Sequence, residues 1–102
     1  MWKRVCAVDD VAQGGMKECQ VEAGPRILII NTGTERFAYQ AECPHEAVAL
    51  AEGIHDGSVL TCLAHLWQFD VRTGAPLGDA EKGLTGYRLK EEDGVLYAWI
   101  DQ

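Results

Sequence analysis

The chain has 102 residues, of which 47% are apolar and 25% are charged, and this is the size and composition of one ordinary soluble domain. Its formal net charge is −7, and its nine Lys and Arg residues are scattered along the chain, which argues against a nucleic-acid-binding protein because such proteins carry a basic stripe. No apolar run approaches the ~20 residues that span a membrane, and residues 1–15 have no secretory signal pattern. We expect a single domain, residues 1–102, that is cytoplasmic and has no nucleic-acid or membrane partner.

Strand-like segments and turn signals alternate from the N-terminus onward. Cys6 and Cys19 stand in strand-like surroundings, and residues 9–11 can begin a short helical turn. Two runs rich in β-branched and aromatic residues follow, at 26–31 and 36–41. Runs of about four to eight such residues, bounded by Gly, Asn and Pro, are typical of β-strands.

The middle of the chain departs from this simple alternation. Residues 46–53 (EAVALAEG) can form a helical turn or two, and strand-like runs follow at 58–62 and 66–71. The region from about 43 to 78 also contains most of the chemistry-bearing residues of the chain. We therefore expect it to be an insert that carries the functional site.

The last two strand-like runs, 87–92 and 95–100, are joined by Asp93-Gly94. This dipeptide favours the tight turn of a β-hairpin, because glycine adopts a positive φ at low cost. Every residue along 95–100 is apolar or aromatic. Both faces of that strand are therefore expected to be covered by other parts of the protein. Many short strands divided by turns predict an all-β fold, either an antiparallel sandwich or a barrel.

Two of the four cysteines and two of the three histidines stand close together in the middle region. They read Cys43-x-His45 and, after sixteen intervening residues, Cys62-x-x-His65. In a cytosolic chain, cysteines with nearby histidines indicate metal binding more than disulfides. The other two cysteines have no such neighbour, and we expect them to behave as small buried hydrophobes.

Two metal centres fit this set of ligands. A structural zinc ion takes two cysteines and two histidines tetrahedrally, but the common zinc patterns pair Cys with Cys and His with His. A [2Fe–2S] cluster with two histidines on one iron explains the mixed pairs, since each segment then supplies a thiolate to one iron and an imidazole to the other. Neutral imidazoles leave the oxidised centre without net charge, so it accepts an electron more readily than a four-thiolate centre does. The residues alone leave zinc, the cluster and a chance arrangement open.

The segments CPH (43–45) and CLAHLWQFD (62–70) resemble those of Rieske iron–sulfur proteins, and the resemblance covers nearly the whole chain. It implies a Rieske-type antiparallel β-sandwich with a small cluster-binding subdomain, about residues 43–78, inserted between strands. It also implies one [2Fe–2S] cluster per chain, with the cysteines on the buried iron and the histidines on the outer one.

The resemblance assigns a role to each residue of the two segments. The implied ligands are Cys43, His45, Cys62 and His65. The residues expected to border the cluster or to form a docking face are Pro44, Glu46, Ala64, Leu66, Trp67 and Pro76.

Within the family, the two segments are most similar to the ferredoxins of toluene- and benzene-type aromatic monooxygenases. This similarity implies a carrier, not an enzyme, that takes single electrons from an NADH-dependent flavin/iron–sulfur reductase to a diiron hydroxylase. The ferredoxin of a ring-hydroxylating dioxygenase is the alternative, and a zinc-stapled interaction domain is a third interpretation. We expect the free protein to be a monomer.

Departures from the respiratory members of the family predict the reduction potential. Those members have further cysteines at the positions of Val48 and Ala64, and a serine and a tyrosine at the positions of Trp67 and Phe69. The two hydroxyls hydrogen-bond the cluster sulfurs and stabilise the reduced state. Their loss predicts a potential at the low end of the Rieske range, on the order of −150 mV.

Overall fold

The computed structural model of the protein describes residues 1–64 and 66–101, which form three antiparallel β-sheets. The strands are β1 Trp2–Ala7, β2 Met16–Gln20, β3 Arg26–Asn31, β4 Arg36–Gln40, β5 Ile54–His55, β6 Val59–Thr61, β7 Gln68–Asp70, β8 Pro76–Leu77, β9 Gly86–Tyr87, β10 Leu89–Glu92 and β11 Val95–Trp99. The helices in these residues are two short 3₁₀ turns, Val8–Asp10 and Leu50–Glu52, neither of which could span a bilayer. The prediction of an all-β antiparallel fold is confirmed.

The three sheets differ in strand order. The terminal sheet has the order β1-β11-β10, the central sheet β2-β3-β4-β9, and the small sheet β5-β6-β7-β8. The predicted hairpin joins β10 to β11, with Glu92 opposite Val95 and with positive φ at both Asp93 and Gly94. The strand-like surroundings predicted for Cys6 and Cys19 are strands β1 and β2.

The central sheet is covered on both faces, which explains the continuous apolar run of β3. Ile27 and Ile29 point into a first core shared with the terminal sheet, while Leu28 and Ile30 point into a second core shared with the small sheet. All four side chains are fully buried. Side chains alternate between the two faces of a strand, so only a strand buried on both sides has apolar residues at every position.

The first core contains the two cysteines that have no histidine nearby. Cys6 and Cys19 are buried there, as predicted. Burial raises the pKa of both thiols, that of Cys19 to about 12. Neutral buried thiols are chemically inert, so this pair contributes to packing.

Side-chain contacts tie the small sheet to the central sheet. The hydroxyl of Tyr39 on β4 donates to the carbonyl of Val71, just after β7. The imidazole of His55 on β5 lies with its Nε2 3.3 Å from the carbonyl oxygen of Gly15, while its Nδ1 accepts from Gly57 N–H. His55 therefore stabilises the turn at Asp56-Gly57 and links it to Gly15.

Candidate metal centre

The two predicted ligand segments lie in loops of the same construction. The first loop, 43–48, follows β4, and the backbone N–H of Cys43 donates to the carbonyl of Val48 at 2.9 Å. The second loop, 62–67, follows β6, and the N–H of Cys62 donates to the carbonyl of Trp67 at 2.8 Å. In each of these ligand loops the cysteine is the first residue and closes the loop, which fixes its position at the base.

The two cysteines at the loop bases come together inside the second core. Cys43 and Cys62 are buried, and neither forms a disulfide. Burial raises the pKa of the Cys62 thiol, and its contact with the Cys43 thiol raises it further. Metal binding releases the protons of ligand thiols, and two adjacent thiolates are the soft ligands that iron–sulfur clusters and zinc prefer.

His45 lies nearer the surface than the two thiols. About 30% of its side chain is exposed, and its Nε2 is 3.9 Å from a carboxylate oxygen of Glu46. Its ring stacks on that of Trp67, with 4.4 Å between the ring centroids and 31° between the planes. The first loop thus presents a buried thiol and a half-exposed imidazole, while His65, the fourth predicted ligand, lies outside the described residues.

The described ligands do not form a site for a single ion. Within residues 1–64 and 66–101, no three His, Cys, Asp or Glu side chains converge on one point. A tetrahedral zinc ion needs all its ligands about 2.0–2.3 Å from one centre, whereas a [2Fe–2S] core needs two pairs of ligands at its opposite ends. A pair of buried thiols with a half-exposed imidazole fits the two ends of the cluster better than it fits zinc.

The predicted border residues divide into a buried and an exposed set. Trp67 is 9% exposed and also meets the edge of Phe69, with 6.5 Å between the ring centroids. Leu66 is 66% exposed and has a φ of 57°, a backbone conformation that a leucine adopts only at a cost. Pro44 and Ala64 are half-buried, Glu46 is exposed, and Pro76 is exposed on the edge strand β8.

Negative charge is concentrated in the part of the chain that contains the ligand loops. Residues 41–85 contain seven carboxylates and two cations, so they hold five of the seven net negative charges of the chain. The exposed apolar side chains Leu63 and Leu66 lie in the same part of the chain. Exposed apolar side chains in an acidic part of the chain fit a partner surface that has a basic rim.

A comparison with known protein families decides between the metals. Residues 1–88 match the family model described as the Rieske [2Fe-2S] domain. The chain belongs to the Rieske [2Fe–2S] family. The cofactor of this Rieske domain is therefore a [2Fe–2S] cluster, and the zinc-stapled interpretation is not supported.

Relatives of this Rieske domain include ferredoxin components of oxygenase systems. It is 40% identical to the methanesulfonate monooxygenase ferredoxin subunit of Methylosulfonomonas methylovora, over 97% of this chain and 80% of the relative. It is 41% identical to the alkene monooxygenase ferredoxin component of Xanthobacter autotrophicus, over 88% of this chain and 74% of the relative.

A solved structure supports the assignment of the chain to the Rieske family. A chain in the complex of reduced oxygenase and oxidized ferredoxin of carbazole 1,9a-dioxygenase superposes with a TM-score of 0.85 and 26% identity, over 95% of this chain and 91% of that one. The fold of this Rieske domain is thus shared with a chain of a complex between a reduced oxygenase and an oxidized ferredoxin.

Several features of the site were not foreseen from the sequence. The bonds that close the ligand loops are accepted by the backbone carbonyls of Val48 and Trp67, so the side chains at these positions give no sign of them. Leu63 follows Cys62 directly and is 55% exposed. The sequence signal for this exposed side chain was an apolar residue inside a ligand segment. Asp70 orders the turn that follows the second ligand segment, because its carboxylate accepts from the backbone N–H groups of Arg72 and Thr73.

Proposed function

We propose that this Rieske domain carries single electrons from an NADH-dependent flavin/iron–sulfur reductase to the diiron hydroxylase of an aromatic hydrocarbon monooxygenase of the toluene type. It acts as the electron-transfer component of the system and is not itself an enzyme. The observation that carries the proposal is the pair of ligand loops, which place two thiols in the core and an imidazole at the surface. Similarity to two monooxygenase ferredoxins supports a monooxygenase as the electron acceptor.

We assign the cluster ligands from this arrangement and, for His65, from its position in the second ligand segment of the sequence. Cys43 and Cys62 bind the inner iron as thiolates, and His45 and His65 bind the outer iron through neutral imidazoles. When bound, the cluster stores one electron and gives it up again. The buried thiols exclude water from the inner end, and the half-exposed ring of His45 brings the outer end within reach of a partner.

The residues around the ligand loops form the docking face. Leu66 is the centre of this face because its side chain is the most exposed there, with Pro44, Glu46 and Ala64 beside it. Pro76 belongs to its rim, and Trp67 supports it from below by packing against His45. A carrier that must release each partner needs a small interface, expected below about 1,200 Å².

The remaining assignments concern the chain as a whole. We propose that residues 1–102 form one Rieske domain with the cluster-binding subdomain at about 43–78. The two ligand loops and the small sheet make up this subdomain, and the terminal and central sheets make up its base. The free protein is a cytoplasmic monomer that meets its reductase and its hydroxylase in turn.

A second candidate acceptor is a ring-hydroxylating dioxygenase. The observation in its favour is the superposition on the structure of carbazole 1,9a-dioxygenase in complex with its ferredoxin. The carrier role and the site residues are the same in both cases, so only the identity of the oxygenase separates them.

Metal analysis and reconstitution test the proposal in two steps. The purified protein should contain two irons and two acid-labile sulfides per chain, be brown-red, and give the Rieske paramagnetic signal when reduced. Reconstitution with a purified toluene-type hydroxylase and its reductase should then support hydroxylation of toluene. Turnover with a ring-hydroxylating dioxygenase instead would select the second candidate, and a colourless zinc protein would overturn both.

A further inference from the structure

An aromatic and cationic surface covers the outer face of the terminal sheet. We call it the aromatic face, and its members are Trp2, Arg4, Arg88, Lys90, Tyr97 and Trp99. The strand register places Trp2 opposite Trp99, and both Arg4 and Lys90 opposite Tyr97. Residues directly opposite one another on paired strands share one side of a sheet, so this set forms a single surface.

The members of the aromatic face are in close contact with one another. The indole rings of Trp2 and Trp99 meet edge to face, with centroids 5.5 Å apart. The guanidinium of Arg88 lies 5.4 Å from the Trp2 ring and 5.8 Å from the Trp99 ring. The ammonium of Lys90 lies 4.7 Å from the Trp2 ring and 5.7 Å from the Tyr97 ring. Such cation–π contacts hold the rings and cations in fixed positions.

The aromatic face points away from the core that holds the cluster cysteines. On β11, Leu96 and Ala98 point inward to the first core, whereas Cys43 and Cys62 belong to the second core beyond the central sheet. A partner bound to the aromatic face therefore leaves the ligand loops uncovered.

The charge of the aromatic face is opposite to that of residues 41–85, which contain the ligand loops. Lys90 pairs with Glu92 at 3.0 Å, and the indole N–H of Trp99 donates to Asp101. Within residues 1–64 and 66–101, however, neither Arg4 nor Arg88 forms an ion pair with a carboxylate, and both are exposed. Neither guanidinium group thus has a carboxylate partner among these residues, and guanidinium groups bind carboxylates in a bidentate manner.

We propose that the aromatic face is a second docking surface, which binds a carboxylate-rich surface on a protein component of the same oxygenase system. Trp, Tyr and Arg are the residues that dominate protein–protein binding energy, and the two guanidinium groups supply the charge complementarity. The bound component holds the carrier while the ligand loops remain open to the electron donor or acceptor. This inference rests on the proposed electron-carrier function.

The test compares two double variants with equal changes in charge. Arg4→Gln with Arg88→Gln neutralises the aromatic face, while Lys17→Gln with Arg26→Gln removes two exposed cations from the central sheet as a control. Dissociation constants of the cluster-loaded protein with purified hydroxylase and with purified reductase are measured by calorimetry, and KM and kcat by coupled turnover. Visible spectra and thermal midpoints show whether each variant is folded and loaded.

The Arg4/Arg88 variant should bind one of the two components about tenfold more weakly. Its kcat should be unchanged because the ligand loops are intact, and the difference from wild type should vanish at about 0.5 M NaCl. The control variant should stay within about twofold of wild type. Affinities within about twofold for both components, or a fall in kcat at unchanged affinity, would overturn the inference.

Other binding partners give distinct results. Concentration-dependent dimers in sedimentation velocity that the Arg4/Arg88 variant loses would make the face a contact between two copies, and would overturn the inference. Binding of wild type to duplex DNA or to phosphatidylserine vesicles, lost in the variant, would overturn it as well. If wild-type protein supports no turnover and binds neither component, the proposed function itself fails and the inference fails with it.

Discussion

The imidazole ring of His45 stacks on the indole ring of Trp67 across the two ligand loops, with centroids 4.4 Å apart. Trp67 also closes its own loop, because its carbonyl accepts from Cys62 N–H. One residue therefore connects the base of the second loop to a predicted ligand in the first. This contact orients the His45 ring, and contacts that orient a metal ligand strengthen metal binding.

Replacing Trp67 should loosen the site. Trp67→Leu removes the stacked ring and leaves a cavity in the second core, so the free energy of unfolding should fall by about 2–4 kcal/mol. The cluster should also be lost faster on dilution into chelator, and the paramagnetic signal of the reduced protein should broaden. Trp67→Phe keeps an aromatic ring and is the matched control. Equal cluster lifetimes in both variants would show that the stacking does not hold His45.

The third histidine of the chain provides a control for the ligand assignment. His45→Ala should abolish the Rieske visible spectrum and paramagnetic signal, because the outer iron loses a ligand. His55→Gln should leave both signals intact, since His55 bonds Gly15 and Gly57 in the small sheet. Iron content and electron paramagnetic resonance of the two variants decide the matter. A normal Rieske signal from the His45 variant would remove that residue from the ligand set.

Leu66 should affect stability and partner binding in opposite directions. Its φ of 57° is a left-handed conformation, which costs a non-glycine residue about 1–2 kcal/mol. Leu66→Gly should therefore raise the free energy of unfolding, by about 1 kcal/mol after the entropy of glycine is subtracted. It should also raise the KM for the hydroxylase, because the exposed side chain at the centre of the proposed docking face is removed.

A second variant separates the two effects of the leucine. Leu66→Ala removes most of the side chain but keeps the strained backbone, so it should raise KM without any gain in stability. Urea unfolding and steady-state turnover on the same samples measure both quantities. An unchanged KM in both variants would exclude Leu66 from the docking face.

The potential of the cluster should respond to the residue at position 69. Phe69 is fully buried on β7 and has no hydroxyl to donate, so the wild-type potential should be near the low end of the Rieske range, on the order of −150 mV. Phe69→Tyr adds a donor and should raise the potential, because a hydrogen bond to the cluster stabilises the more negative reduced state. Spectroelectrochemical titration checks both statements. A clearly positive wild-type potential would contradict the first of them.

Patterns within single segments predicted the features of the fold and site that depend on local sequence. The apolar run of β3, the Asp93-Gly94 turn and the two cysteine–histidine segments could all be recognised in this way. The predicted strand at 66–71 begins only at Gln68, because Leu66 has a positive φ and Trp67 belongs to the loop closure. The predicted run 87–92 is interrupted at Arg88, where the chain passes from the central to the terminal sheet.

Contacts between distant segments could not be predicted in the same way. The stacking of His45 on Trp67 and the contact of the two buried thiols depend on how β4 and β6 are placed by the two cores. No periodicity or spacing within either segment contains that information. The aromatic face also depends on contacts between distant segments, since the register of three strands brings residues from both ends of the chain together.

The attachment of the small sheet to the central sheet should weaken at high pH. Tyr39 is buried and donates to the carbonyl of Val71, and burial raises its pKa to about 12 from an ordinary value of about 10. A raised pKa in the folded state means that the neutral form is stabilised, so this contribution is complete below about pH 10 and is lost between about pH 10 and 12. Tyr39→Phe should cost about 0.5–1.5 kcal/mol at neutral pH, the usual value of one hydrogen bond. The stability difference between wild type and variant, measured by urea unfolding of the loaded protein, should shrink across that pH window. If the stability difference stays constant up to about pH 12, ionisation of the Tyr39 hydroxyl does not destabilise the folded protein as predicted.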